Sequence, residues 1–439
     1  MEAKLRFSLA DPSGKVSAMG DASSVLGPEE LLIAPVSGGP MSYSLREIEG
    51  IEEGDYRIVM RLRSRDTLML FNLGFKHEDL ARTLFRNVNE LELKDLLMDE
   101  RLLKQGVPAD AAHSSATGAK QLGRCEVRLY ETAMMVMPER AGLLRLRYAD
   151  VQGTEVVEHR LMVSVEGGER LELAKLGREL DPLRKGLGEA VADLSAKVQG
   201  MIQDAHPSAE MAGVLRASGL MKDGRAAKHD ELEAACPGLW PSLERKLAGY
   251  GIGEEYEFFN RTSRQGLIRI GMKRPLHAEE AKDYVFFLAP IYSTDGGKGG
   301  NAIAFEASSG EEEGRATYFF RIWSRKDYPI PDARMMDEEA GTFISQLVEG
   351  LNAINFRREP VYLPEERLYM PEYSRYRFAA MRIPELRLLR ERFVGRVVHS
   401  SPEQWKEDVS ALLAFNVAQK NDSTKWKRVE KVSNTPSGI

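Results

Sequence analysis

Residues 56–91, YRIVMRLRSRDTLMLFNLGFKHEDLARTLFRNVNEL, contain a change of hydrophobic period that decides the fold of the chain. Over residues 56–62 apolar and polar side chains alternate, and a period of two residues predicts strands of a half-buried sheet. After Gly74 the apolar residues recur at helical spacing, which predicts an amphipathic helix that continues to about residue 100. The sequence therefore predicts antiparallel strands followed by one helix.

The same order of elements recurs twice further along the chain. Strand patterns resume at Cys125 and lead to a helix that begins at Asp181, because an aspartate caps free amides and the following proline suits a first turn. Strand-like runs return from residues 256–259 onward and precede a helix near Asp337. The predicted fold class is α+β, with tandem antiparallel β-sheet modules, each closed by a C-terminal helix, and a helical C-terminal region.

These patterns divide the chain of 439 residues into five predicted regions. They are a first module (1–103), a second module (124–205), a helical connector (206–250), a third α+β module (251–358) and a basic helical C-terminal region with a tail (359–439). Residues 104–123 are rich in small side chains and show no apolar period, which predicts a linker. The residues from Lys420 onward predict a flexible basic tail.

Antiparallel strands followed by one helix resemble the pleckstrin-homology-like (PH-like) superfamily, whose members close a strongly bent sheet with a C-terminal helix. The resemblance lies in the pattern of strands and helices and covers residues 4–100 and 124–203, and residues 252–356 less well. It implies modules that bind proteins, lipids or nucleic acids rather than modules that carry out chemistry.

Composition and charge limit the class of protein further. A chain with 43% hydrophobic and 29% charged residues is globular in composition, and a net charge of −6 argues against a protein that coats nucleic acid with its whole surface. Two cysteines, Cys125 and Cys236, are too few for a disulfide framework or a four-thiolate zinc site, which favours a reducing cytoplasm. Neither a signal peptide nor a transmembrane segment is predicted.

Each motif in this sequence that could indicate catalysis or ligand binding also has a purely structural interpretation. The glycine-rich residues 295–301 lack the spacing of a phosphate-binding loop and predict a hairpin loop. The cluster His229, Asp230 and Glu231 fits an exposed helix start better than a general base. The seven histidines are scattered singly, so local pairs predict no metal site, although ligands could still converge in space. We predict no catalytic residue, no cofactor and no metal site.

Two arginine-rich segments supply the candidate partner-binding residues. The first follows one predicted strand and its turn, where alternation places the side chains on a single face. This face either binds anionic headgroups or an acidic partner, or is only exposed to solvent. Its members are Arg57, Arg61, Arg63 and Arg65. The second combines arginines with aromatic residues in a helical segment, and an apolar stripe there also predicts packing against a neighbouring domain. Its members are Arg375, Arg377, Arg382, Arg387 and Arg390.

The sequence therefore favours a non-enzymatic cytoplasmic interaction or scaffold protein that binds other proteins through several surfaces. Residues 357–439 carry 16 Lys and Arg against 11 Asp and Glu, so an adaptor that binds anionic lipid or nucleic acid through its arginine faces is the second hypothesis. An enzyme whose site is assembled from distant residues is the third. The identity of the partner, the pathway and the oligomeric state are left open.

Overall fold

The computed structural model describes residues 1–95, 100–115, 118–274, 283–293, 299–310 and 315–426. Within these residues the fold is α+β, with three antiparallel sheets and a helical C-terminal region, as predicted. The chain divides into two compact units, residues 1–196 with 365–383 and residues 197–364 with 384–439. The predicted glycine-rich loop (295–301) lies largely outside the described residues. No helix of the described chain combines the length and the apolar character that spanning a membrane requires.

The first sheet contains seven strands of the described chain and is followed by a helix. Its elements are β1 (Glu2–Ala10), β2 (Val16–Leu26), β3 (Glu30–Pro35), β4 (Met41–Ser44), β5 (Ile48–Gly54), β6 (Arg57–Leu62), β7 (Thr67–Phe71) and α1 (His77–Asp95). The strands pair in the order β4-β3-β2-β1-β7-β6-β5. Ile58, Met60 and Leu62 are buried, as the alternation predicts, whereas Tyr56 is exposed in the turn before β6.

The second sheet repeats this arrangement within the described residues. Its elements are β8 (Leu102–Ser115), β9 (Gly118–Tyr130), β10 (Ala133–Pro138), β11 (Leu144–Arg147), β12 (Val151–Val157), β13 (Arg160–Val165), β14 (Arg170–Ala174) and α2 (Leu180–Ala205). The strand order is β11-β10-β9-β8-β14-β13-β12, the same as in the first sheet. The strands-then-helix order therefore holds for both.

The two sheets are related by a constant shift along the sequence. Every strand and α-helix from β3 to α1 begins 103 positions before its counterpart, as His77 and Leu180 show for the helices. The turns follow the same shift: Asp55 and Tyr56 have positive φ before β6, and Glu158 and His159 have positive φ before β13. Such turns join antiparallel strands because their twist matches that of the strands.

A shared Leu-Gly pair precedes both helices. Leu73 and Leu176 are buried, and Gly74 and Gly177 both have φ +55°, in the left-handed region that a side chain disfavours. The glycine lets the chain turn from the last strand into the helix within a few residues. The repeat is therefore visible in local backbone conformation as well as in strand order.

The prediction of a linker over residues 104–123 is wrong, because most of β8 and about the first half of β9 lie there. The inward face of β8 carries Val107, Ala109 and Ala111, which are all buried. Alanine is a poor strand former, and such small side chains produce no clear apolar period. The strand is fixed by its pairing with β9 and β14 rather than by its own composition.

Each helix packs its apolar stripe into the core of its own sheet. Leu80 and Leu84 of α1 are buried in the core of the first sheet, and Leu183 and Leu187 of α2 are buried in that of the second. The division between the two units falls inside α2, whose later residue Ile202 belongs to the core of the second unit.

The second unit is built around the third sheet. Its elements are α3 (Met211–Leu220), β15 (Ala226–Lys228), α4 (His229–Ala235), α5 (Leu239–Gly249), α6 (Gly253–Thr262), β16 (Arg269–Lys273), β17 (Tyr284–Ile291), β18 (Ala302–Ser308), β19 (Ala316–Arg321), α7 (Ala333–Ala353), α8 (Glu359–Tyr362), α11 (Pro384–Arg392), β20 (Phe393–Val398) and α12 (Pro402–Ala418). Two short helices between α8 and α11, α9 (Glu365–Leu368) and α10 (Ser374–Arg382), belong to the first unit. The third sheet has six strands of the described chain in sequential order, β15 to β20.

Helices cover the third sheet on both faces. Phe287 and Phe319 lie in one core with residues of α5, α6 and α12, whereas Tyr318 contacts Tyr362 of α8 outside that core. A sheet buried on both faces reads as a continuous apolar run, as β17 does, rather than as an alternation.

Two elements of the second unit differ from the sequence pattern. Residues 256–259, expected as a strand, lie in helix α6, because Tyr256 and Phe259 pack one helical turn apart against Phe287. The C-terminal region also contributes a strand, β20, that pairs with β19. Tertiary packing overrides local propensity at both places.

The start of the predicted tail is bound to the second unit. The amide of Trp426 donates a hydrogen bond of 2.8 Å to the carbonyl of Val394, and buried Arg325 donates to the carbonyl oxygens of Asn421 (2.6 Å) and Thr424 (2.8 Å). The expectation of a flexible tail is therefore wrong for residues 420–426. Residues 427–439 lie outside the described part of the chain.

Candidate functional site

Three arginines of the first segment are exposed on β6 and in the turn that follows it. Arg57 and Arg61 lie on the outward face of the strand, and Arg65 occupies the turn with φ +69°. Arg61 forms an ion pair of 2.5 Å with Glu52 on the neighbouring strand, and both side chains are more than half exposed. Solvent screens such a pair, so it contributes little to stability.

Arg63 contacts the segment formed by residues 365–383 of the same unit. Its Nη2 lies 3.0 Å from a carboxylate oxygen of Glu365, and its guanidinium lies 5.1 Å from the ring centroid of Tyr369. Arg377 packs on the same ring at 5.2 Å and forms an ion pair with Glu47. These two arginines are therefore used in contacts inside the first unit.

The other arginines of the second segment fall into different environments. Arg382 donates to the carbonyl of Glu49 at 3.3 Å, and burial lowers its pKa although Glu92 partly opposes that effect. Arg375 lies over the ring of Tyr376. Arg387 is exposed on α11.

Arg390 lies in the second unit and binds backbone carbonyls. Its Nη1 donates to the carbonyl oxygens of Pro360 at 2.6 Å and Leu363 at 3.0 Å, which belong to α8 and the residue after it. This arrangement satisfies acceptors that the end of a helix leaves unpaired. The predicted arginine set is thus divided between exposed side chains and side chains engaged within the fold.

A second constellation joins two carboxylates and a histidine in the second unit. Glu255 lies on α6, Glu306 on β18, and His399 directly after β20. Glu306 Oε1 lies 2.6 Å from His399 Nε2, and Glu255 Oε1 lies 3.3 Å from His399 Nδ1. Each residue offers a donor atom, and these three atoms lie within 4.8 Å of one another. Oxygen and nitrogen donors this close are able to bind a metal ion.

Neighbouring polar side chains fix the position of Glu306, which is only 1% exposed. Thr317 Oγ1 on β19 donates to Glu306 Oε2 at 2.6 Å, and the indole Nε1 of Trp405 donates to Thr317 Oγ1 at 3.0 Å. A buried carboxylate requires such partners because its transfer from water is costly. One oxygen of Glu306 is therefore satisfied by the protein, and the other faces His399.

The charges of the cluster perturb one another. Burial raises the pKa of Glu255, and the negative charge of Glu306 raises it further. Burial lowers the pKa of His399, but the carboxylates of Glu306 and Glu255 outweigh this effect and raise it. Arg315 acts in the opposite direction on His399, while its Nη1 donates to the carbonyl of Gly251.

Sequence reasoning missed this cluster because its members are far apart in the chain. His399 has no second histidine at helical spacing, and Glu255 looks like an ordinary acidic residue in a helix start. A signal was nevertheless present at Glu306, which interrupts the apolar strand AIAFEAS. A charged residue inside a buried strand requires a partner, so it indicates that another polar or charged side chain lies next to it in the folded chain.

Comparisons with known proteins give no family for this chain, since no family model matches it and no curated protein matches it either.

Proposed function

We propose that the chain is a non-enzymatic interaction protein whose first two sheets are tandem PH-like modules that bind other proteins. The observation that carries this proposal is the strand order of the first sheet, which the second sheet repeats with a helix after its last strand. Antiparallel strands followed by one helix are the pattern that resembles the PH-like superfamily. Helix residues such as Leu84 and Leu187, buried in the two sheet cores, support closure of each module by its helix.

The first module has exposed aromatic side chains that suit a protein partner. Tyr56 is 83% exposed and Phe75 is 90% exposed. The ring of Tyr56 lies 6.0 Å from that of His77, two residues after Phe75. We call Tyr56, Phe75 and the neighbouring Arg57 the aromatic surface. Aromatic residues and arginine dominate the binding energy of protein interfaces.

The equivalent positions of the second module are polar. His159 and Arg178 stand 103 positions after Tyr56 and Phe75. The repeat therefore keeps the backbone while it changes the chemistry of the surface, which supports a separate binding role for the first module. Several such modules in one chain raise the effective concentration of their partners, as a scaffold requires. The free thiols of Cys125 and Cys236 suit a reducing cytoplasm, where we place the protein.

Binding to anionic lipid or nucleic acid is the second candidate function, because Arg57, Arg61 and Arg65 are exposed together. Such binding depends on several unpaired cations and weakens steeply as salt rises. The ion pair between Arg61 and Glu52 reduces the net charge of this face. This observation favours the protein partner.

The test is a quantitative pull-down with the full chain at low and moderate salt, with nuclease treatment in parallel. The informative variant is Tyr56→His with Phe75→Arg, which introduces the residues that the second module carries at the same backbone positions. The matched control is Val156→Ser with Val157→Ser, which removes two exposed apolar side chains from the second module. We expect a protein partner that survives nuclease and moderate salt, is lost from the first variant and is kept by the control.

Two results would contradict the proposal. Recovery of nucleic acid or lipid alone, released by salt, would favour the adaptor function. A protein partner that binds the aromatic-surface variant and the control equally would show that the aromatic surface is not the binding site.

A further inference from the structure

The cluster of Glu255, Glu306 and His399 contains three buried polar atoms that form no hydrogen bond within the described chain. They are Glu255 Oε2, Glu306 Oε1 and His399 Nε2, one from each residue. An unsatisfied buried polar atom destabilises the folded state, so native proteins rarely leave several of them together. Three such atoms in one cluster indicate a binding site for a ligand.

The relation between Glu306 and His399 identifies the kind of ligand. Glu306 Oε1 lies 2.6 Å from His399 Nε2, yet the two atoms are not aligned as a hydrogen bond. Two donors bound to one tetrahedral ion by bonds of about 2.0–2.2 Å lie about 3.3–3.6 Å apart, so binding of an ion that replaces the ring proton requires these two atoms to separate by about 1 Å.

Outer contacts hold the donors as they do in metal sites. Thr317 donates to the second oxygen of Glu306, and Trp405 donates to Thr317. The other ring nitrogen, Nδ1, lies 3.3 Å from Glu255 Oε1, so contacts at both nitrogens constrain the orientation of the imidazole. Hydrogen bonds that orient ligating carboxylates and histidines are a regular feature of protein metal sites.

Solvent access and charge also suit a cation. The side chains of His399 and Glu255 keep 13% and 15% exposure, which leaves a route to the cluster, whereas Glu306 is enclosed. The two carboxylates balance the charge of a divalent ion, and the positive charge of Arg315 acts on Glu255 and His399 as well. Carboxylate oxygen alone suits Mg²⁺ or Ca²⁺, but imidazole nitrogen favours a transition metal. Three protein ligands leave one tetrahedral position of Zn²⁺ for water.

We propose that Glu255, Glu306 and His399 bind a single divalent transition-metal ion, with Zn²⁺ as the best fit, through one donor atom from each residue. The site lies wholly in the second unit. It is therefore independent of the protein-binding function proposed for the first module.

The test uses the full chain without an affinity tag, stripped with a chelator and dialysed against Zn²⁺. Elemental analysis is expected to find one Zn²⁺ per chain, and Zn²⁺ is expected to raise the melting temperature, because a ligand that binds only the native state stabilises it. Glu255→Gln and His399→Gln are expected to weaken binding at least tenfold. Glu255→Gln changes the most exposed ligand, so it provides the result if His399→Gln fails to fold.

The matched control is Glu169→Gln. His113 Nε2 lies 3.3 Å from a carboxylate oxygen of Glu169 in the first unit, and among the described residues no third donor joins this pair. This variant is expected to keep full Zn²⁺ binding and the full thermal shift. X-ray absorption at the zinc edge is expected to show only nitrogen and oxygen ligands, with an imidazole signature that is absent from His399→Gln.

Three outcomes would overturn the proposal. The first is failure of the chain to retain Zn²⁺, and the second is equal retention by Glu255→Gln and the wild type, which would place the ion elsewhere. The third is tighter binding of Mg²⁺ or Ca²⁺ than of Zn²⁺, which would reject the class of ion.

Discussion

Arg377 forms an ion pair with Glu47, although 330 positions of the chain separate the two residues. Arg377 lies on α10, and the next residue, Phe378, is buried in the core of the first sheet. The chain therefore returns to its first unit long after leaving it. The arginine and aromatic segment acts in part as an internal component of that unit.

Phe378→Ala is expected to destabilise the first unit by about 3–5 kcal/mol, because it removes a ring that is 1% exposed and leaves a cavity. Hydrogen exchange read by mass spectrometry should show faster exchange in β1–β7 and α1. Arg387→Ala, at an exposed position of α11, is the control and should leave exchange unchanged. Unaltered protection in the Phe378 variant would show that the segment does not support the sheet.

Gly74→Ala is expected to destabilise the first unit by about 1–2 kcal/mol, because residue 74 has φ +55° and a Cβ disfavours that conformation. The cost is conformational, since apart from the adjoining residues no described atom lies within 4 Å of the position that the Cβ would take. Gly177→Ala should cost the same at the equivalent turn, and Gly74→Asn should cost less. Circular dichroism during urea unfolding gives the comparison, and a neutral Gly74→Ala would contradict the assigned turn.

The order of strands and helices could be predicted because it rests on hydrophobic period and on turn residues such as Gly74. The strand β8 could not, because Ala109 and Ala111 are buried through pairing and leave no apolar pattern. Helix α6 was missed for the opposite reason, since the aromatic residue Phe259 suits a strand locally but packs in a helix. Local sequence describes local preference, and these elements are decided by distant contacts.

The candidate metal site shows the same limit. Glu306 could be recognised as a charge within an apolar strand, but no residue near it in sequence identifies the side chains that contact it in the fold. His399 and Glu255 come to it only through the pairing of β18, β19 and β20 and the packing of α6. The exposure of Arg57 and Arg61 on the outward face of β6 could be predicted, because alternation along a single strand places them there, whereas the contact of Arg63 with Glu365 could not.

Thr317→Val is expected to destabilise the second unit by about 1–3 kcal/mol, because it leaves Glu306 Oε2 buried without its donor. Thr317→Ser keeps the hydroxyl and is the matched control. Tryptophan fluorescence during urea unfolding reports this unit selectively, since the four tryptophans of the chain all lie in it: Trp240, Trp323, Trp405 and Trp426. Equal stability of the valine and serine variants would show that the hydroxyl does not support the carboxylate.

Both cysteines are expected to be unreactive in the native protein at pH 8. Cys125 is 7% exposed and Cys236 is 2% exposed, and burial raises the pKa of Cys125 to about 12, helped by Asp110 and Glu139. Since the thiolate is the reactive form, alkylation by iodoacetamide should be negligible until the chain unfolds. Mass spectrometry should then find two modified cysteines in denaturant, and rapid native labelling of Cys125 would contradict the buried strand β9.

Lys425 is expected to make stability rise with pH in the alkaline range. Burial lowers its pKa to about 8, and the cations Arg321, Arg325 and Arg390 contribute, whereas Glu391 opposes them. Between pH 8 and the pKa of about 10.4 that an unfolded lysine has, the unfolded chain binds more protons than the native protein does. Raising the pH through this window therefore removes a penalty that is fully present below it.

The measurement is the difference in melting temperature between the wild type and Lys425→Met, followed from pH 7 to pH 10. Tyrosines and other titrating groups are common to both proteins, so their effects cancel, and the wild type should gain stability relative to the variant as pH rises. Lys420→Met, at an exposed lysine of the same segment, should show no such change. The charged ammonium also donates to the carbonyl oxygen of Glu391 at 2.9 Å, so a difference that falls with pH would mean that this bond outweighs the repulsion.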